Sequence, residues 1–351
     1  MQNRSPELTA DTETVNAEDQ LNIRIAWYYY VNNMTQQQIA DRMGITRVRV
    51  NKALATCRET GVVQIRINSP LASCIELEER IQERFGLQRV TVVPSPDDPS
   101  SIFRVLGVGV APTLETYLVD GCIIAVGWGR TLRQAVRELQ GRPLPNMTVL
   151  SLLGGLHYGS ANNTVEIASS LAGLFGGSYY YLAAPVFAPS EQYRNMILEE
   201  ASVQDVLGKA RQADLALLTV GDLSERSLML ELGLVNPEDA RSLRAAGAVG
   251  DLLGRWLDRD GIEVNHPLNR RAISLDLEDL RKVRKVVLVS GGPYKAEIIR
   301  AVLLRNVVHE LSSLFPVCFL RLGFDGTDLS LQVRFVLAIQ FSRSRNSFVF
   351  K

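Results

Sequence analysis

Apolar residues in the first part of the chain recur at helical spacing and are separated by polar residues and single glycines. This pattern predicts three short helices after a polar segment, residues 1–18, which is expected to be disordered. The first helix follows Asp19. Thr35 is expected to begin the second helix as one half of a capping box with Gln38, and Gly44 is expected to end it.

Thr46 is expected to cap a third helix that ends at Gly61. The inward face of this helix collects the apolar residues Val50, Ala53, Leu54 and Cys57. Its basic and amide side chains therefore turn mostly outward. A short helix, a tight turn and a second helix with a polar outer face predict a helix-turn-helix, whose second helix can lie in the major groove of DNA.

The outer face of the third helix carries residue types that recognise DNA. Arginine can donate two hydrogen bonds to guanine, asparagine can pair with adenine, and lysine suits a phosphate contact. Residues 62–67 alternate as a short strand and are expected to form a wing with one more arginine. The candidate DNA-binding residues are Thr46, Arg47, Arg49, Asn51, Lys52 and Arg66.

Positive charge is concentrated in this helical region. The whole chain has 38 basic and 38 acidic residues and carries no net charge. Residues 35–67 alone hold six basic residues and two acidic ones, and this local excess favours a nucleic-acid partner. A solvated basic face on a small helical bundle is the alternative.

Residues 69–86 have the pattern of a charged amphipathic linker helix. Leu77, Ile81 and Phe85 follow one another at four-residue spacing and give the helix one apolar stripe. The stripe either packs on the following domain or pairs with another subunit, and the sequence leaves both possibilities open.

Beyond this helix, short apolar runs alternate with helical stretches. The pattern predicts β-α units and a doubly wound, mainly parallel sheet of the α/β class. The predicted strands are residues 90–93, 123–126, 149–153, 180–183, 215–220 and 286–290. Several of these runs end directly in turns that contain glycine. Ligands of open parallel sheets bind at the carboxyl ends of the strands, so these turns predict one shared pocket.

Residues 127–132 are a candidate anion cradle, because small residues expose backbone N–H groups where a strand passes into a helix. A tight strand-to-helix turn without a ligand is the alternative. The residues singled out for this cradle are Gly127, Gly129, Arg130 and Thr131.

Three charged residues complete the candidate pocket. Lys295 lies in the first turn of a predicted helix, whereas a purely structural lysine is more usual near a helix C-terminus. An exposed, uninvolved amine is the alternative. Asp222 and Asp251 are candidate acceptors for sugar hydroxyls, and a routine helix cap is the alternative for each of them.

The positions of cysteine and histidine argue against metal and triad chemistry. The spacing of the cysteines fits no zinc or dithiol site, so reduced, buried thiols are expected, without metal or cofactor. The histidines lie far apart and are expected to be ordinary core or surface imidazoles. These residues are Cys57, Cys74, Cys122, Cys318, His157, His266 and His309.

Composition and apolar-run length bear on the compartment. The chain is 46% hydrophobic and 22% charged, as is typical of a globular protein of about two domains. No apolar run is long enough to span a membrane, and the first residues do not form a secretory signal. A cytoplasmic location is expected.

Four segments carry a family resemblance by their order and spacing. They are the helix-turn-helix at residues 35–59, the loop 127–132, residues 247–255 and residues 291–296. Together they resemble bacterial transcriptional regulators of the SorC family, over roughly residues 20–309. Within that family the chain is most similar to regulators of polyol catabolism, such as those of erythritol operons.

The resemblance implies an effector domain similar to sugar-phosphate isomerases of the glucosamine-6-phosphate deaminase type, with the enzymatic activity lost. It assigns the phosphate loop to residues 127–131, the pocket lining to Gly221 and Asp222, and a phosphate contact to Lys295, with Asp251 as a looser transfer. It also implies operator DNA and a phosphorylated sugar or polyol as partners. A homo-oligomer, dimer or tetramer, without membrane association is expected.

The end of the chain departs from the family pattern. After His309 the family continues a last strand into an acidic turn and a terminal helix, whereas residues 331–341 are apolar, with Arg334 as their single charge. We hypothesise a frameshift or an altered terminus that leaves the edge of the sheet incomplete. The predicted divisions are residues 1–18, 19–68, 69–86, 87–309 and an atypical tail, 310–351.

The sequence thus favours a DNA-binding regulator, a repressor of a carbohydrate or polyol operon that a phosphorylated effector controls. The alternative is a sugar-phosphate isomerase or deaminase with a DNA-binding appendage. The absence of a histidine near Gly221 and Asp222 disfavours this alternative, because the enzyme would need an acid and a base there.

Overall fold

The computed structural model describes residues 17–63 and 70–315. The packing divides the chain into two compact units, with the division between residues 68 and 69. The first unit contains the helices α1 (Ala17–Tyr30), α2 (Gln36–Met43) and α3 (Arg47–Glu59). Its small core is built from residues of all three helices, including Ile25, Ile39, Val50 and Leu54.

The helix boundaries of the first unit follow from local capping, as predicted. The Thr35 hydroxyl accepts a hydrogen bond from the Gln38 N–H at 3.3 Å, and the Gln38 side chain accepts one from the Thr35 N–H at 2.9 Å. Gly44 ends α2 in the left-handed conformation, with φ of 65°. Thr46 caps α3 through the Arg49 N–H. The predicted wing falls largely outside the described residues, and Arg66 lies outside them.

The second unit alternates strands and helices. Its helices are α4 (Pro70–Phe85), α5 (Ile102–Glu115), α6 (Arg130–Glu138), α7 (Thr164–Phe175), α8 (Glu191–Glu199), α9 (Ala201–Arg211), α10 (Leu228–Glu231), α11 (Pro237–Ala245), α12 (Pro267–Arg271) and α13 (Ala296–Leu304). Its strands are β1 (Arg89–Pro94), β2 (Ile123–Val126), β3 (Thr148–Ser151), β4 (Ser178–Tyr180), β5 (Leu215–Leu218), β6 (Val220–Gly221), β7 (Gly250–Leu252), β8 (Arg255–Leu257), β9 (Val286–Val289) and β10 (Glu310–Phe315). Short 3-10 helices span Pro99–Ser101, Leu277–Lys282 and Pro293–Lys295.

Seven strands form one parallel sheet in the order β1-β10-β9-β5-β2-β3-β4. The chain runs from β2 outward through β3 and β4, then returns to place β5 on the other side of β2. The strand order therefore reverses between β2 and β5, which is the switch point where ligands of doubly wound sheets bind. The predicted α/β fold is confirmed.

Several strand predictions need correction. The run at 180–183 was expected to be a strand, but β4 ends at Tyr180, and the Leu182 N–H then donates to the Ser151 side chain instead of a neighbouring strand. The run at 215–220 divides into β5 and β6. The strand β6 leaves the large sheet and joins β7 and β8 in an antiparallel three-stranded sheet, which the sequence did not predict.

The linker helix α4 packs on the sheet through the predicted apolar stripe. Leu77 and Ile81 are buried in the same core as the strands, and α4 lies against β1. The Glu78 carboxylate accepts a hydrogen bond from the Val92 N–H at 2.7 Å, which ties the helix to the edge strand. Of the two possibilities left open for the stripe, the structure thus adopts the packing on the following domain.

The beginning of the predicted tail belongs to the sheet. Residues 310–315 form β10, which pairs with β1 on one side and β9 on the other. The placement of these six residues in an atypical tail is therefore wrong. Residues 316–351, on which the frameshift hypothesis rests, lie outside the described residues.

Two further expectations concern cysteines and membrane spans. Cys57, Cys74 and Cys122 are free and buried, as predicted, whereas Cys318 lies outside the described residues. Within the described ranges, no helix has the length and apolar character needed to cross a membrane.

Candidate functional site

A cleft lies at the carboxyl ends of β2, β5 and β9, at the switch point of the sheet. It has about 530 Å³ of empty space, counting the part that is open to solvent. The lining residues are Phe103, Trp128, Gly129, Arg130, Thr131, Thr219, Val220, Gly221, Asp222, Arg226, Ser227, Leu228, Met229, Asp251, Tyr294 and Lys295.

The wall after β2 is the N-terminal end of α6. Gly129 is the N-cap residue and has φ of 113°, a conformation that favours glycine. The next residues, Arg130 and Thr131, begin the helix, and the first N–H groups of a helix have no partner within it. Such N–H groups, together with the helix dipole, suit a phosphate or carboxylate.

The wall after β6 holds a buried carboxyl group. Gly221 pairs with Asp251 across the small sheet, and a Cβ atom on Gly221 would lie only 2.0 Å from Asp251 Oδ1. Asp251 Oδ2 accepts a hydrogen bond from the Gly254 N–H at 3.0 Å. Burial raises the pKa of Asp251 to about 6, although this hydrogen bond and the nearby Lys295 ammonium act in the opposite direction. Glycine at position 221 thus makes room for the carboxyl group.

Lys295 and Asp222 also line the cleft and interact electrostatically with this carboxyl group. The Lys295 ammonium donates to the Val220 main-chain oxygen at 2.7 Å. Burial lowers the pKa of Lys295, and the carboxylates of Asp222 and Asp251 partly oppose this effect. Asp222 Oδ1 accepts the Ser224 N–H at 2.7 Å, so one of its oxygens has the local turn-capping role that the sequence left open.

Three buried polar atoms around the cleft lack a hydrogen-bond partner within the described part of the chain. They are Thr219 Oγ1, Ser227 Oγ and Asp251 Oδ1. Most buried polar atoms in proteins are paired, because an unpaired one costs about 1–3 kcal/mol. Hydroxyl groups can donate and accept hydrogen bonds, so they are a chemistry that suits such atoms.

The structure brings together seven of the eight residues predicted for the pocket. The exception is Gly127, whose N–H donates to the Leu217 main-chain oxygen and which stays in the sheet below the cleft. Trp128 is buried and also lines the cleft. It therefore both packs in the core and borders the candidate ligand site.

Sequence reasoning missed several lining residues. Phe103 comes from α5, and Ser227 and Leu228 come from the segment that ends in α10, neither of which follows a predicted strand. No sequence signal marks these positions, because tertiary packing alone brings them to the cleft. Thr219 is different, since it follows β5 directly. The rule that ligands bind at the carboxyl ends of parallel strands therefore identifies it.

The outer surface of α3 carries the predicted DNA contacts. Arg47, Arg49, Asn51 and Lys52 are exposed, whereas the Thr46 hydroxyl is occupied in capping the helix. Arg47 Nε donates to the Gln36 side chain at 3.4 Å, so the N-terminal ends of α2 and α3 lie side by side. Sequence reasoning missed Val48, which is 80% exposed on the same face and can contact a thymine methyl group.

One histidine forms a contact that imitates part of a catalytic triad. His266 Nε2 lies 2.9 Å from Ser242 Oγ. His266 Nδ1 accepts the Leu268 N–H, so the proton resides on Nε2 and the histidine cannot act as a base toward the serine. Its role is to cap α12, in agreement with the expectation of an ordinary imidazole.

A helix-turn-helix unit followed by a doubly wound sheet with a polar cleft at its switch point defines the class of ligand-responsive transcriptional regulators. Residues 69–312 match the family described as "Putative sugar-binding domain". The chain is 31% identical over 288 residues to the deoxyribonucleoside regulator of Bacillus subtilis (strain 168), and the match covers 82% of this chain and 92% of that protein. The chain belongs to the SorC family of bacterial transcriptional regulators, which carry this sugar-binding domain.

Two further comparisons refine the picture. The chain is 28% identical to the erythritol catabolism regulatory protein EryD of Brucella abortus (strain 2308), over 82% of this chain and 91% of that one. This sequence identity is lower than the 31% shared with the deoxyribonucleoside regulator. The comparison therefore does not assign the chain to the erythritol subgroup. The full-length sorbitol operon regulator SorC from Klebsiella pneumoniae has the same fold, with a TM-score of 0.66 at 24% identity, over 86% of this chain and 98% of that one.

Proposed function

We propose that this regulator binds operator DNA through α3 and that a phosphorylated sugar or polyol in the cleft controls this binding. The observation that carries the proposal is the composition of the cleft. The N-terminal end of α6, with Arg130, lines the same cleft as polar residues whose buried atoms have no hydrogen-bond partner among the described residues. A phosphate group suits the first, and sugar hydroxyls suit the second.

The regulated genes, by this proposal, form a carbohydrate or polyol catabolic operon, and the protein is their repressor. The effector binds two states of the sheet unit unequally and thereby changes the population that can occupy the operator. A preference of about 100-fold between the two states corresponds to about 2.7 kcal/mol, which is enough to change occupancy substantially.

The functional form is proposed to be a homo-oligomer, dimer or tetramer, that acts in the cytoplasm. Helix-turn-helix proteins commonly bind two half-sites, and a symmetric dimer presents two copies of α3 at the required spacing. A catabolic effector and operator DNA meet in that compartment.

An operator gel shift titrated with phosphorylated tetritols, pentoses and hexoses tests the proposal. At least one of these compounds is expected to change the fraction of bound operator, and the same compound is expected to raise the unfolding temperature of the protein. Neutral sugars serve as the control, because they lack the anionic group. A panel without any effect on DNA binding or on thermal unfolding would contradict the sensing role.

A second candidate function is that of a sugar-phosphate isomerase or deaminase. The observation that favours it is the pair Asp251 and Lys295, whose pKa values are raised and lowered toward neutrality, as in many acid-base sites. Turnover of a sugar phosphate by the purified chain in a coupled assay would establish this function. Binding without turnover supports the sensor.

A further inference from the structure

The guanidinium group of Arg130 is already occupied by the protein itself. It donates to the carboxylate of Glu231, at the end of α10, and its Nη1 donates to the Arg226 main-chain oxygen at 3.4 Å. Arg130 and Glu231 are 101 positions apart in the sequence, so the fold creates this pair. The pair joins the phosphate-loop side of the cleft to the segment that forms the opposite wall.

The pair is not needed to hold α10 in place. Met229, in the middle of this helix, is 3% exposed, and Leu223 and Val235, on either side of the segment, are 6% and 1% exposed. The Arg244 side chain also donates to the Leu223 main-chain oxygen. The helix is therefore anchored by the core, and the Glu231 side chain can leave Arg130 while its backbone stays where it is.

Separating the Glu231 carboxylate from Arg130 also costs little free energy, because both side chains are already partly solvated. The Glu231 side chain is 57% exposed and that of Arg130 is 29% exposed, so water can hydrate the carboxylate when it leaves Arg130. Exposed ion pairs of this kind stabilise proteins only slightly, because water and salt screen them. An incoming anion with two negative charges can compete with a single carboxylate for the same guanidinium group.

The other cations of the cleft have different partners. Lys295 donates to the Val220 main-chain oxygen and interacts electrostatically with two carboxylates, Asp222 and Asp251. The Arg226 guanidinium lies 6.0 Å from the ring centroid of Tyr294. Arg130 is thus the cation of the cleft that an exposed carboxylate, Glu231, already occupies.

We propose that Glu231 is an internal competitor for the anionic group of the effector. It occupies Arg130 while the cleft is empty, must be displaced when the effector binds, and so sets the affinity of the site. This inference rests on the proposed function, because it requires that the cleft binds an anionic ligand. It adds an affinity-determining residue that lies outside the residues predicted from sequence.

Calorimetric titration of the full chain with inorganic phosphate tests the competition, with Glu231→Gln compared against Glu225→Gln. Glu225 lies in the same segment, is exposed, and forms no ion pair within the described part of the chain, so its substitution removes the same charge without freeing Arg130. We expect Glu231→Gln to bind phosphate about 2- to 5-fold more tightly than wild type, the range that an exposed ion pair supplies. Glu225→Gln is expected to change the affinity by less than about 1.5-fold, because an exposed charge that does not contact Arg130 is screened by water and salt.

A second arm distinguishes direct competition from general repulsion. In an Arg130→Gln background, Glu231→Gln should give no gain in phosphate affinity, since the contested group is gone. A gain that persists in this background would overturn the proposal, and so would equal affinities of Glu231→Gln and Glu225→Gln.

The experiment distinguishes failure of the proposed function from failure of the proposed role of Glu231. If wild type binds neither phosphate nor any sugar phosphate of the panel, the proposed function fails and the role of Glu231 falls with it. If wild type binds these anions but Glu231→Gln has the affinity of the Glu225→Gln control, the role of Glu231 alone is wrong. Thermal unfolding without ligand checks that the variants remain folded.

Discussion

The two units of this protein assemble their candidate sites in opposite ways. In the helical unit, the caps and the candidate DNA-binding side chains lie within a few residues of one another, and contacts between residues three or four apart fix the helix ends. In the sheet unit, the cleft collects residues from α5, α6, α10, the small sheet and the loop after β9. Damage to the first site should therefore be local, and damage to the second should spread through several elements.

The largest expected effect is that of Gly221→Ala. A methyl group at this position would lie 2.0 Å from Asp251 Oδ1, and this carboxyl group is buried and already accepts a hydrogen bond from the Gly254 N–H. We expect the free energy of unfolding of the sheet unit to fall by about 3 kcal/mol, the upper part of the range for overpacked cores. Binding of sugar phosphates should be lost with it.

Gly173→Ala is the matched control for this variant. Gly173 lies inside α7, where an added Cβ atom would meet no atom within 4 Å. Alanine in a helix is favoured over glycine by about 0.5–1 kcal/mol, so this variant should be slightly more stable than wild type. Denaturant unfolding measures both changes, and an unchanged midpoint for Gly221→Ala would contradict the close approach.

The next effect concerns pH and Asp251→Asn. The pKa of Asp251 is about 6 in the folded protein, against 3.8 for an ordinary aspartate, so the folded state binds the proton more tightly than the unfolded state. This contribution to stability is therefore present at low pH and is lost as the pH rises from about 4 through about 6. Asparagine does not titrate, so the Asp251→Asn variant shows no corresponding loss of stability as the pH rises.

Thermal or denaturant unfolding at pH 4.5 and pH 8 measures this difference. The stability of Asp251→Asn relative to wild type should increase with pH, by about 2–3 kcal/mol over the whole titration. Asp260→Asn, on an exposed turn, is the control and should behave like wild type at both pH values. A relative stability of Asp251→Asn that is independent of pH would show that the carboxyl group is not buried as described.

The third effect separates two kinds of DNA contact on α3. If Arg49 makes the proposed bidentate contact to guanine, Arg49→Ala should lose about 1–3 kcal/mol of discrimination at one base pair. Lys52→Ala should weaken binding to all sequences and reduce the slope of log affinity against log salt by about 1. Binding-site selection and fluorescence anisotropy at several salt concentrations measure these changes.

Arg58→Ala provides the control, since Arg58 is equally basic and exposed but lies in the last turn of α3. It is expected to retain the specificity of wild type. If Arg49→Ala and Lys52→Ala weaken binding alike and leave specificity unchanged, the assignment of Arg49 to a base contact is wrong.

The smallest effect is expected for Thr35→Ala, which removes the N-cap of α2. Loss of a threonine cap typically costs about 1 kcal/mol, and the loss here is confined to the helical unit. Hydrogen exchange of α2 should increase, while phosphate binding in the sheet unit should stay the same. Thr60→Ala, at the C-terminal end of α3, is the control, and increased exchange in the sheet unit would contradict the local nature of the cap.

The fold was largely predictable because its signals are local. Capping residues such as Thr35 and Thr46 act over three positions, and the apolar run of β2 has the predicted bounds, residues 123–126. The strand β10 was missed because it contains polar residues, Glu310, Ser312 and Ser313, which are nevertheless buried between β1 and β9. Periodicity cannot detect a strand whose buried positions are polar.

The cleft was predictable only in part. The turns after β2 and β9 were found by the rule that ligands bind at the carboxyl ends of strands, and they contribute Arg130 and Lys295. Gly221 and Asp251 were each candidates, but their pairing was not predicted, because it depends on the pairing of β6 with β7. Ser227 and Glu231 were missed, since nothing around them in the sequence relates them to Arg130.

The sequence by itself determined the elements of this protein and the chemistry that they carry. Helix caps, apolar periods and turn residues act between neighbours in the chain, so their consequences can be derived without coordinates. Only the tertiary structure decided which of these groups meet, because a pair such as Arg130 and Glu231 depends on the order of strands in the sheet and on the packing of α10. Long-range contacts arise from the global burial of apolar surface, which no local pattern encodes.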